Sequence, residues 1–237
     1  MIRRHKSFIE KAIDRITEPL LSRSSYSQAG EDTILRFLFH DFGKTFISYL
    51  DLGTNQPKGD NNTFLFYRKG GQGVCVEADM SLIPKIKKAR PKDKIINAGV
   101  SVTEDKEADF YIFDVPGINT FNREEAEQRN NSGNHKIVKV IKVPLVNIND
   151  LIKNNFDGYP DLLSIDIEGL DLAVLRSLDF DRFPIPVICA ETCVYSENHI
   201  RPKDHSIAEF MITKGYEIYA DTYINTIFVN KSWFYNK

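Results

Sequence analysis

Phe46-Ile47-Ser48-Tyr49-Leu50-Asp51-Leu52-Gly53-Thr54-Asn55 is the stretch of sequence that decides the fold. Its apolar and β-branched residues predict a strand that is covered on both faces, as in a parallel sheet. Gly53 permits the tight turn that brings backbone N–H groups up to a ligand. The stretch therefore predicts a buried strand that leads into a ligand site.

The acid in this strand, Asp51, indicates the kind of ligand. A carboxylate at the carboxyl end of the first strand of an α/β sheet repels a pyrophosphate and attracts an ammonium or sulfonium group. The turn also lacks the spacing G-x-G-x-x-G, because the next glycine after Gly53 is Gly59. Both observations disfavour a dinucleotide and favour a cationic nucleoside.

A second acid, Glu77, ends the short apolar run Gly73-Val74-Cys75-Val76-Glu77-Ala78-Asp79. It follows Gly53 by roughly twenty residues, the spacing at which an acid in a βαβ unit reaches the ribose hydroxyls. S-adenosylmethionine, a nucleoside with a sulfonium group, satisfies both acids.

Length and composition are those of a single soluble domain. The chain has 237 residues, of which 42% are hydrophobic, and a formal net charge of −2. This charge gives no drive toward nucleic acid, and no apolar run is long enough for a transmembrane helix or a secretory signal. A cytoplasmic protein without a nucleic-acid partner is expected.

The three cysteines lack metal-binding spacing, and Cys75 and Cys189 are expected to be buried hydrophobes.

The chain begins with a basic amphipathic segment over residues 1–23, which we treat as an N-terminal helical extension (residues 1–24) of the main domain (residues 25–237). Its basic face could contact a membrane surface or a partner. Its interspersed acids favour a helix that packs across the domain as a lid or as a contact in a homo-oligomer.

The polar run Ser25-Tyr26-Ser27-Gln28-Ala29-Gly30-Glu31-Asp32 precedes the first strand. Ser25 and Gln28 match a capping box that opens a helix. Gln28 and Glu31 either cover the methionine end of the cofactor or belong to a solvated first helical turn.

Further along, strand and helix patterns alternate, and the chain closes with a hairpin. This order predicts an α/β fold: a doubly wound, mostly parallel seven-stranded sheet with a C-terminal antiparallel hairpin and an inserted β-hairpin. Lys94 to Val100 is predicted to be the third strand. Backbone groups at its end, around Ala98 and Gly99, could bind the edge of an adenine ring. The insertion spans residues 103–146, and within it Pro116 to His135 is polar and predicts a substrate-facing flap or a disordered surface loop.

Carboxylates follow two later strands, and they are the candidates for catalysis. Asp166 and Glu168 end the buried strand from Pro160, and Glu191 ends the next one. Asp166 and Glu168 are candidates for the catalytic base. With Glu191 they could also bind Mg²⁺ or Mn²⁺, whereas Glu168 could instead stabilise a helix N-terminus. His199 and His205 are alternative bases or exposed loop residues. Arg201 and Lys203 could hold an anionic acceptor.

Six short motifs together resemble the FkbM-type S-adenosylmethionine-dependent methyltransferases of the class I Rossmann-like fold. They are Ser27-Gln28-Ala29-Gly30-Glu31-Asp32, Tyr49-Leu50-Asp51-Leu52-Gly53, Asn62-Thr63, Gly73-Val74-Cys75-Val76-Glu77, Leu163-Ser164-Ile165-Asp166-Ile167-Glu168-Gly169 and Asn225-Thr226-Ile227-Phe228-Val229. The resemblance implies O-methylation of a hydroxyl, often on a sugar, glycan or secondary metabolite, with Asp51, Glu77 and Asp166 near the cofactor. The sequence departs from many class I enzymes in having fewer glycines after the first strand.

The predicted site can now be stated in full. The predicted cofactor-binding residues are Gln28, Glu31, Asp51, Gly53, Asn55, Thr63, Glu77, Ala78, Ala98, Gly99 and Asp166. The predicted catalytic residues are Asp166, Glu168, His199 and His205. Two other functions share the fold: a nicotinamide-dependent oxidoreductase, which Asp51 and the missing glycines contradict, and a non-catalytic nucleoside-binding module.

Overall fold

The protein is described by a computed structural model that covers residues 25–115, 117–167, 169–193 and 202–236. The segment 1–24, Glu168 and His199 lie outside these residues, so the interpretations of the N-terminal extension and of these two side chains stay predictions. No helix in the described part of the chain is long and apolar enough to cross a membrane.

The part of the chain that the structure describes contains ten strands and eight helices. The strands are β1 (Ser48–Leu52), β2 (Gln72–Glu77), β3 (Lys94–Asn97), β4 (Gly99–Ser101), β5 (Glu107–Phe113), β6 (Ile137–Asn147), β7 (Leu162–Ile165), β8 (Val187–Glu191), β9 (Tyr216–Asp221) and β10 (Asn225–Asn230). The helices are α1 (Glu31–Asp41), α2 (Phe64–Arg68), α3 (Ile83–Ala89), α4 (Arg123–Asn131), α5 (Ile148–Asn155), α6 (Asp171–Ser177), α7 (Ser206–Thr213) and α8 (Lys231–Tyr235).

The main sheet has seven strands in the order β3-β2-β1-β7-β8-β10-β9. All neighbouring strands are parallel except β10, which pairs antiparallel with both β8 and β9. The predicted fold class is therefore confirmed. The chain runs from β1 outward to β3 and then returns to β7 on the other side of β1. Ligands of doubly wound sheets bind at such a reversal, outside the carboxyl ends of the strands.

Both faces of this sheet are covered, which explains why β1 reads as a continuous apolar run. Leu50 and Leu52 point to the face where α5, α6 and α7 pack. Tyr49 points to the opposite face, where α1 and α2 pack, because successive side chains of a strand alternate between faces.

A second, three-stranded sheet has the order β4-β6-β5. The antiparallel pair of β5 and β6 is the hairpin that the sequence predicts. The prediction of a single strand over Lys94 to Val100 is wrong. The chain leaves the main sheet after Asn97 and enters the small sheet at Gly99. A Cβ at Gly99 would lie 2.4 Å from Cζ of Phe121, so a side chain at this position would have to displace that ring.

The polar segment between β5 and β6 is more ordered than the sequence suggests. It contains α4, whose first turn is capped by the side chain of Asn122, which accepts a hydrogen bond from the N–H of Glu125. Ala126 is fully buried and packs against Phe113 and Ile118. The segment therefore contributes only a small cluster to the core, and the alternative of a disordered surface loop does not fit the helix and its buried residue. The substrate-facing flap stays a prediction.

The polar run before α1 also differs from expectation. The helix begins at Glu31 rather than after Ser25, so the predicted capping box does not form. The hydroxyls of Ser25 and Ser27 instead donate to the buried carboxylate of Asp32 at 2.7 and 3.1 Å. The short serine side chains therefore tie the segment that precedes α1 to its first turn.

Candidate active site

A cavity of about 420 Å³ lies at the carboxyl ends of the central strands. Its walls come from the residues that follow β1, β2, β3, β7 and β8, and from the insertion between β4 and β6. Of the predicted site residues, those that line it are Gln28, Gly53, Asn55, Glu77, Ala78, Ala98, Gly99, Asp166 and Glu191. The volume is in the range of cavities that bind small molecules and cofactors.

The turn after β1 forms the centre of the cavity. The N–H groups of Gly53 and Thr54 both donate to the carbonyl oxygen of Val76 in β2, at 3.0 and 3.2 Å. Gly53 has a φ of +80°, and a Cβ at this position would lie 1.9 Å from the carbonyl oxygen of Asp166. The glycine thus allows the ends of β1 and β7 to approach each other. The sequence predicted a different role, a turn that brings backbone N–H groups up to a ligand, but the N–H groups of Gly53, Thr54 and Asn55 donate to Val76 and Glu77.

Glu77 presents a fixed carboxylate to the cavity. Its Oε2 accepts a hydrogen bond from the N–H of Asn55 at 2.7 Å, and its Oε1 accepts one from the N–H of Asp79 at 2.8 Å. Burial raises the pKa of this carboxyl group, and the two backbone hydrogen bonds offset part of that rise. Each oxygen still has a lone pair that can accept a hydroxyl proton.

The far wall of the cavity is apolar and comes largely from the insertion. Phe110 and Phe121 pack with ring centroids 4.6 Å apart, and Phe121 faces the backbone of Gly99. Together with Ala98 these residues form an apolar part of the cavity lining beside the end of β3. Such a surface suits a purine ring, and the insertion therefore borders the predicted adenine position.

Two polar residues of the cavity, Asp79 and Asn119, were not predicted. Oδ2 of Asp79 accepts a hydrogen bond from Nδ2 of Asn119 at 3.3 Å, and Oδ1 of Asn119 accepts one from the N–H of Phe113. This contact connects the loop after β2 to the insertion. Asp79 could have been found from its place next to Ala78, whereas nothing in the local sequence marks Asn119.

Three predicted cofactor residues do not line the cavity. Asp51 and Thr63 are buried beneath it, where Oδ2 of Asp51 accepts hydrogen bonds from Thr63 at 2.8 Å and from Arg90 at 3.3 Å. Asp51 is thus already paired with a cation, so the structure does not support a role in attracting the ligand. Glu31 is also buried, and its carboxylate accepts hydrogen bonds from Thr222 and Asn225 in the C-terminal hairpin.

The predicted catalytic residues separate into two groups. Asp166 lines the cavity, as does Glu191, which was predicted only as a metal ligand. Both follow or end strands on the other side of β1 from Glu77. His205 is exposed just before α7 and is not among the lining residues. Lys203, predicted to hold an anionic acceptor, instead bonds Asp221 at 2.7 Å. Arg201 lies outside the described residues.

Two of the three predicted metal ligands, Asp166 and Glu191, lie in the described part of the chain. Among the residues that the structure describes, no three histidine, cysteine or acidic side chains are grouped so that they could hold a metal ion. Glu168, the middle member of the set Asp166, Glu168 and Glu191, lies outside that part of the chain. Binding of Mg²⁺ or Mn²⁺ by this set therefore stays a prediction.

Asp171 is a buried acid in the first turn of α6, beneath the cavity. Its two oxygens accept hydrogen bonds from the N–H groups of Ile167 and Gly169, both at 3.2 Å. Burial, with a further contribution from the charge of Asp166, raises the pKa of Asp171 from 3.8 to about 7. The folded protein therefore binds a proton between these pH values that the unfolded chain does not bind.

This raised pKa predicts a pH dependence of stability. The stabilising effect of the proton is complete below pH 3.8 and is lost as the pH rises to about 7. We expect the melting temperature of Asp171→Asn, relative to the natural protein, to rise by roughly 10–15 °C between these limits. Melting curves by circular dichroism measure this difference, with the exposed Asp150→Asn in the first turn of α5 as a control. Parallel pH profiles of Asp171→Asn and the natural protein would contradict the prediction.

Comparison with known proteins agrees with the resemblance found in the sequence. The family described as "Methyltransferase FkbM domain" matches residues 51–218. A search of curated protein sequences found no significant match.

Solved structures with a similar chain path include a TehB-like SAM-dependent methyltransferase from Corynebacterium glutamicum. It has 10% identity and a TM-score of 0.43, and the alignment covers 94% of this chain and 97% of that one. Another is the 1,6-didemethyltoxoflavin-N1-methyltransferase of Burkholderia thailandensis, with 10% identity and a TM-score of 0.41 over 97% of this chain and 91% of that one. Because the family match extends from the end of β1 into β9, the chain belongs to the FkbM methyltransferase domain family.

Proposed function

We propose that the protein is an S-adenosylmethionine-dependent methyltransferase that methylates a hydroxyl group of a sugar, glycan or other small metabolite. The observation that carries this proposal is the fixed carboxylate of Glu77 in the cavity of a methyltransferase domain. A nicotinamide-dependent oxidoreductase has less support, because the family match is to methyltransferases.

The polar groups of the cavity fit this cofactor. Oδ1 of Asn55 is buried and has no hydrogen-bond partner among the described residues, and Glu77 offers further acceptor sites beside it. A buried acceptor without a partner is costly, so this wall is suited to a ligand that brings hydrogen-bond donors. The ribose hydroxyls and the ammonium group of S-adenosylmethionine are such donors. Glu77 would hold the ribose, and Ala98, Gly99 and Phe121 would enclose the adenine.

The remaining residues of the cavity suit the transfer step. When bound, S-adenosylmethionine supplies a methyl group that its sulfonium has already activated. The protein must then place an acceptor hydroxyl in line with that methyl group and exclude water. Residues of the insertion line the cavity, and so does Asp166, whose carboxylate would accept the proton that the hydroxyl loses.

Binding of S-adenosylhomocysteine, measured by isothermal titration calorimetry, tests the proposed cofactor. Glu77→Gln should weaken binding by roughly 10- to 100-fold, because an amide can accept only one of the two backbone hydrogen bonds and fewer bonds from the ribose. Glu104→Gln, which changes an exposed acid, is the matched control and should bind like the natural protein. Binding of NADH in place of S-adenosylhomocysteine would overturn the proposal.

Transfer itself needs a second experiment, because a non-catalytic module would also bind the cofactor. The protein is incubated with methyl-labelled S-adenosylmethionine and a panel of sugars, nucleotide-linked sugars and small alcohols. Label in an ether-linked product would support O-methylation. Loss of transfer with EDTA, and its recovery with Mg²⁺, would support the metal set of Asp166, Glu168 and Glu191.

A further inference from the structure

Arg90 is a fully buried arginine at the end of α3, and every nitrogen of its guanidinium has a partner. Nε donates to Oδ2 of Asp93 at 2.8 Å, and Nη2 donates to Oγ1 of Thr63 at 2.7 Å. Nη1 donates to Oδ2 of Asp51 at 3.3 Å and to Oδ1 of Asn61 at 3.1 Å. Only a planar guanidinium offers donors in all these directions at once.

Aromatic rings surround the same side chain. The guanidinium carbon lies 5.2, 6.0 and 5.7 Å from the ring centroids of Tyr49, Phe64 and Tyr67. A charge in such surroundings is tolerated only when its partners are complete. The position of each partner is therefore tightly linked to the presence of Arg90.

One of these partners reaches the wall of the cavity. Nδ2 of Asn61 donates to Oδ2 of Asp51 at 3.1 Å and to the carbonyl oxygen of Thr54 at 3.3 Å. Thr54 lies between Gly53 and Asn55, which both line the cavity. The N–H groups of this turn are held from the other side by Val76 and Glu77. The turn is thus fixed at its carbonyl oxygen by Asn61 and at its N–H groups by β2.

We infer that Arg90 is a positioning residue for the cofactor site. Its guanidinium holds Asp51 and Asn61 in place, and Asn61 fixes the turn from Gly53 to Asn55 against the cofactor. Asp51 belongs to this buried ion cluster and acts on the ligand only through it. This inference rests on the proposed function, because the turn borders the cavity in which the cofactor is proposed to bind.

Asp93 provides a matched control within the same cluster. It contacts the opposite end of the guanidinium and accepts hydrogen bonds from the hydroxyl of Tyr49 and the N–H of Gly73. None of these contacts involves the turn after β1. Asp93→Asn keeps a side-chain oxygen that can accept from Nε of Arg90, and it leaves the bonds of Arg90 to Asp51 and Asn61 in place. This variant should therefore destabilise the protein without moving the cavity wall.

The test compares Arg90→Lys, Asn61→Ala and Asp93→Asn with the natural protein. Each is titrated with S-adenosylhomocysteine at a temperature where circular dichroism shows the native fold. Arg90→Lys should lower the affinity at least tenfold, because a lysine ammonium cannot reach Asp93, Asp51 and Asn61 together. Asn61→Ala, which keeps both ion pairs of Arg90, should lower it to a similar extent. Asp93→Asn should change it by less than threefold, although its melting temperature falls.

The double variant Arg90→Lys with Asn61→Ala separates positioning from general destabilisation. If Arg90 acts through Asn61, the double variant should bind S-adenosylhomocysteine as tightly as the weaker-binding single variant, within about twofold. Affinity losses that follow melting temperature across all variants, including Asp93→Asn, would overturn the inference, as would full affinity in Arg90→Lys. Failure of the natural protein to bind S-adenosylhomocysteine would instead overturn the proposed function and the inference with it.

Discussion

Replacement of Gly53 by alanine should reduce the affinity for S-adenosylhomocysteine by more than roughly 100-fold and destabilise the fold by several kcal/mol. The added Cβ would lie 1.9 Å from the carbonyl oxygen of Asp166 and 3.2 Å from Cγ2 of Ile167. The nearest atom belongs to the backbone and cannot rotate away, so β1 and β7 must separate. The φ of +80° adds about 1–2 kcal/mol of strain for any residue with a side chain.

Gly43→Ala is the control that isolates the backbone strain. Gly43 also has a positive φ, +69°, but a Cβ there would meet no atom within 4 Å. We expect this variant to lose about 1 kcal/mol of stability and to bind S-adenosylhomocysteine as tightly as the natural protein does. Calorimetric titration and urea unfolding measure both quantities. If Gly53→Ala and Gly43→Ala lost the same affinity and the same stability, the contact of residue 53 with Asp166 would not limit the approach of β1 to β7.

Asp166→Asn should lower kcat by roughly 100-fold or more, while the affinity for S-adenosylhomocysteine changes only a few-fold. Asp166 directly follows β7 and lines the cavity, on the other side of β1 from the predicted ribose acid Glu77. An amide of the same shape cannot take up the proton of the acceptor hydroxyl. The variant also removes the negative charge that helps to raise the pKa of Asp171.

The measurement is the rate of methyl transfer to an acceptor found with the panel described above. Asp157→Asn, which changes an exposed acid after α5, is the control and should retain full activity. A normal kcat in Asp166→Asn would assign the proton transfer to another group. A loss of cofactor affinity equal to the loss in kcat/KM would show that Asp166 binds the cofactor and does not act as a base.

The fold could be predicted from the sequence because its elements are coded locally. The apolar runs that end at Leu52, Glu77, Ile165 and Glu191 are strands of one sheet, and their shared direction brings their carboxyl ends to one edge. Once a parallel sheet is inferred, the position of Glu77 and Asp166 beside a cavity follows. The insertion was also visible, since β5 and β6 alternate as half-buried strands do.

Long-range pairing is what the sequence did not reveal. Asp51 was expected to face a cationic ligand, but its cation is Arg90, which is 39 residues away and has no local pattern that marks it as buried. Asn119 reaches Asp79 only because the insertion folds back over β2. The start of the small sheet at Gly99 depends on packing against Phe121, which no local propensity encodes.

The small sheet has a consequence for how this domain can change its acceptor. Ser101 and Asn147, the residues at which the insertion leaves and rejoins the domain, are direct partners in the parallel pairing of β4 with β6. Segments of different length can be exchanged between two such adjacent points at little entropic cost. The insertion could therefore be exchanged as one unit, with a change of acceptor, while β1, β2 and β7 keep the proposed cofactor site.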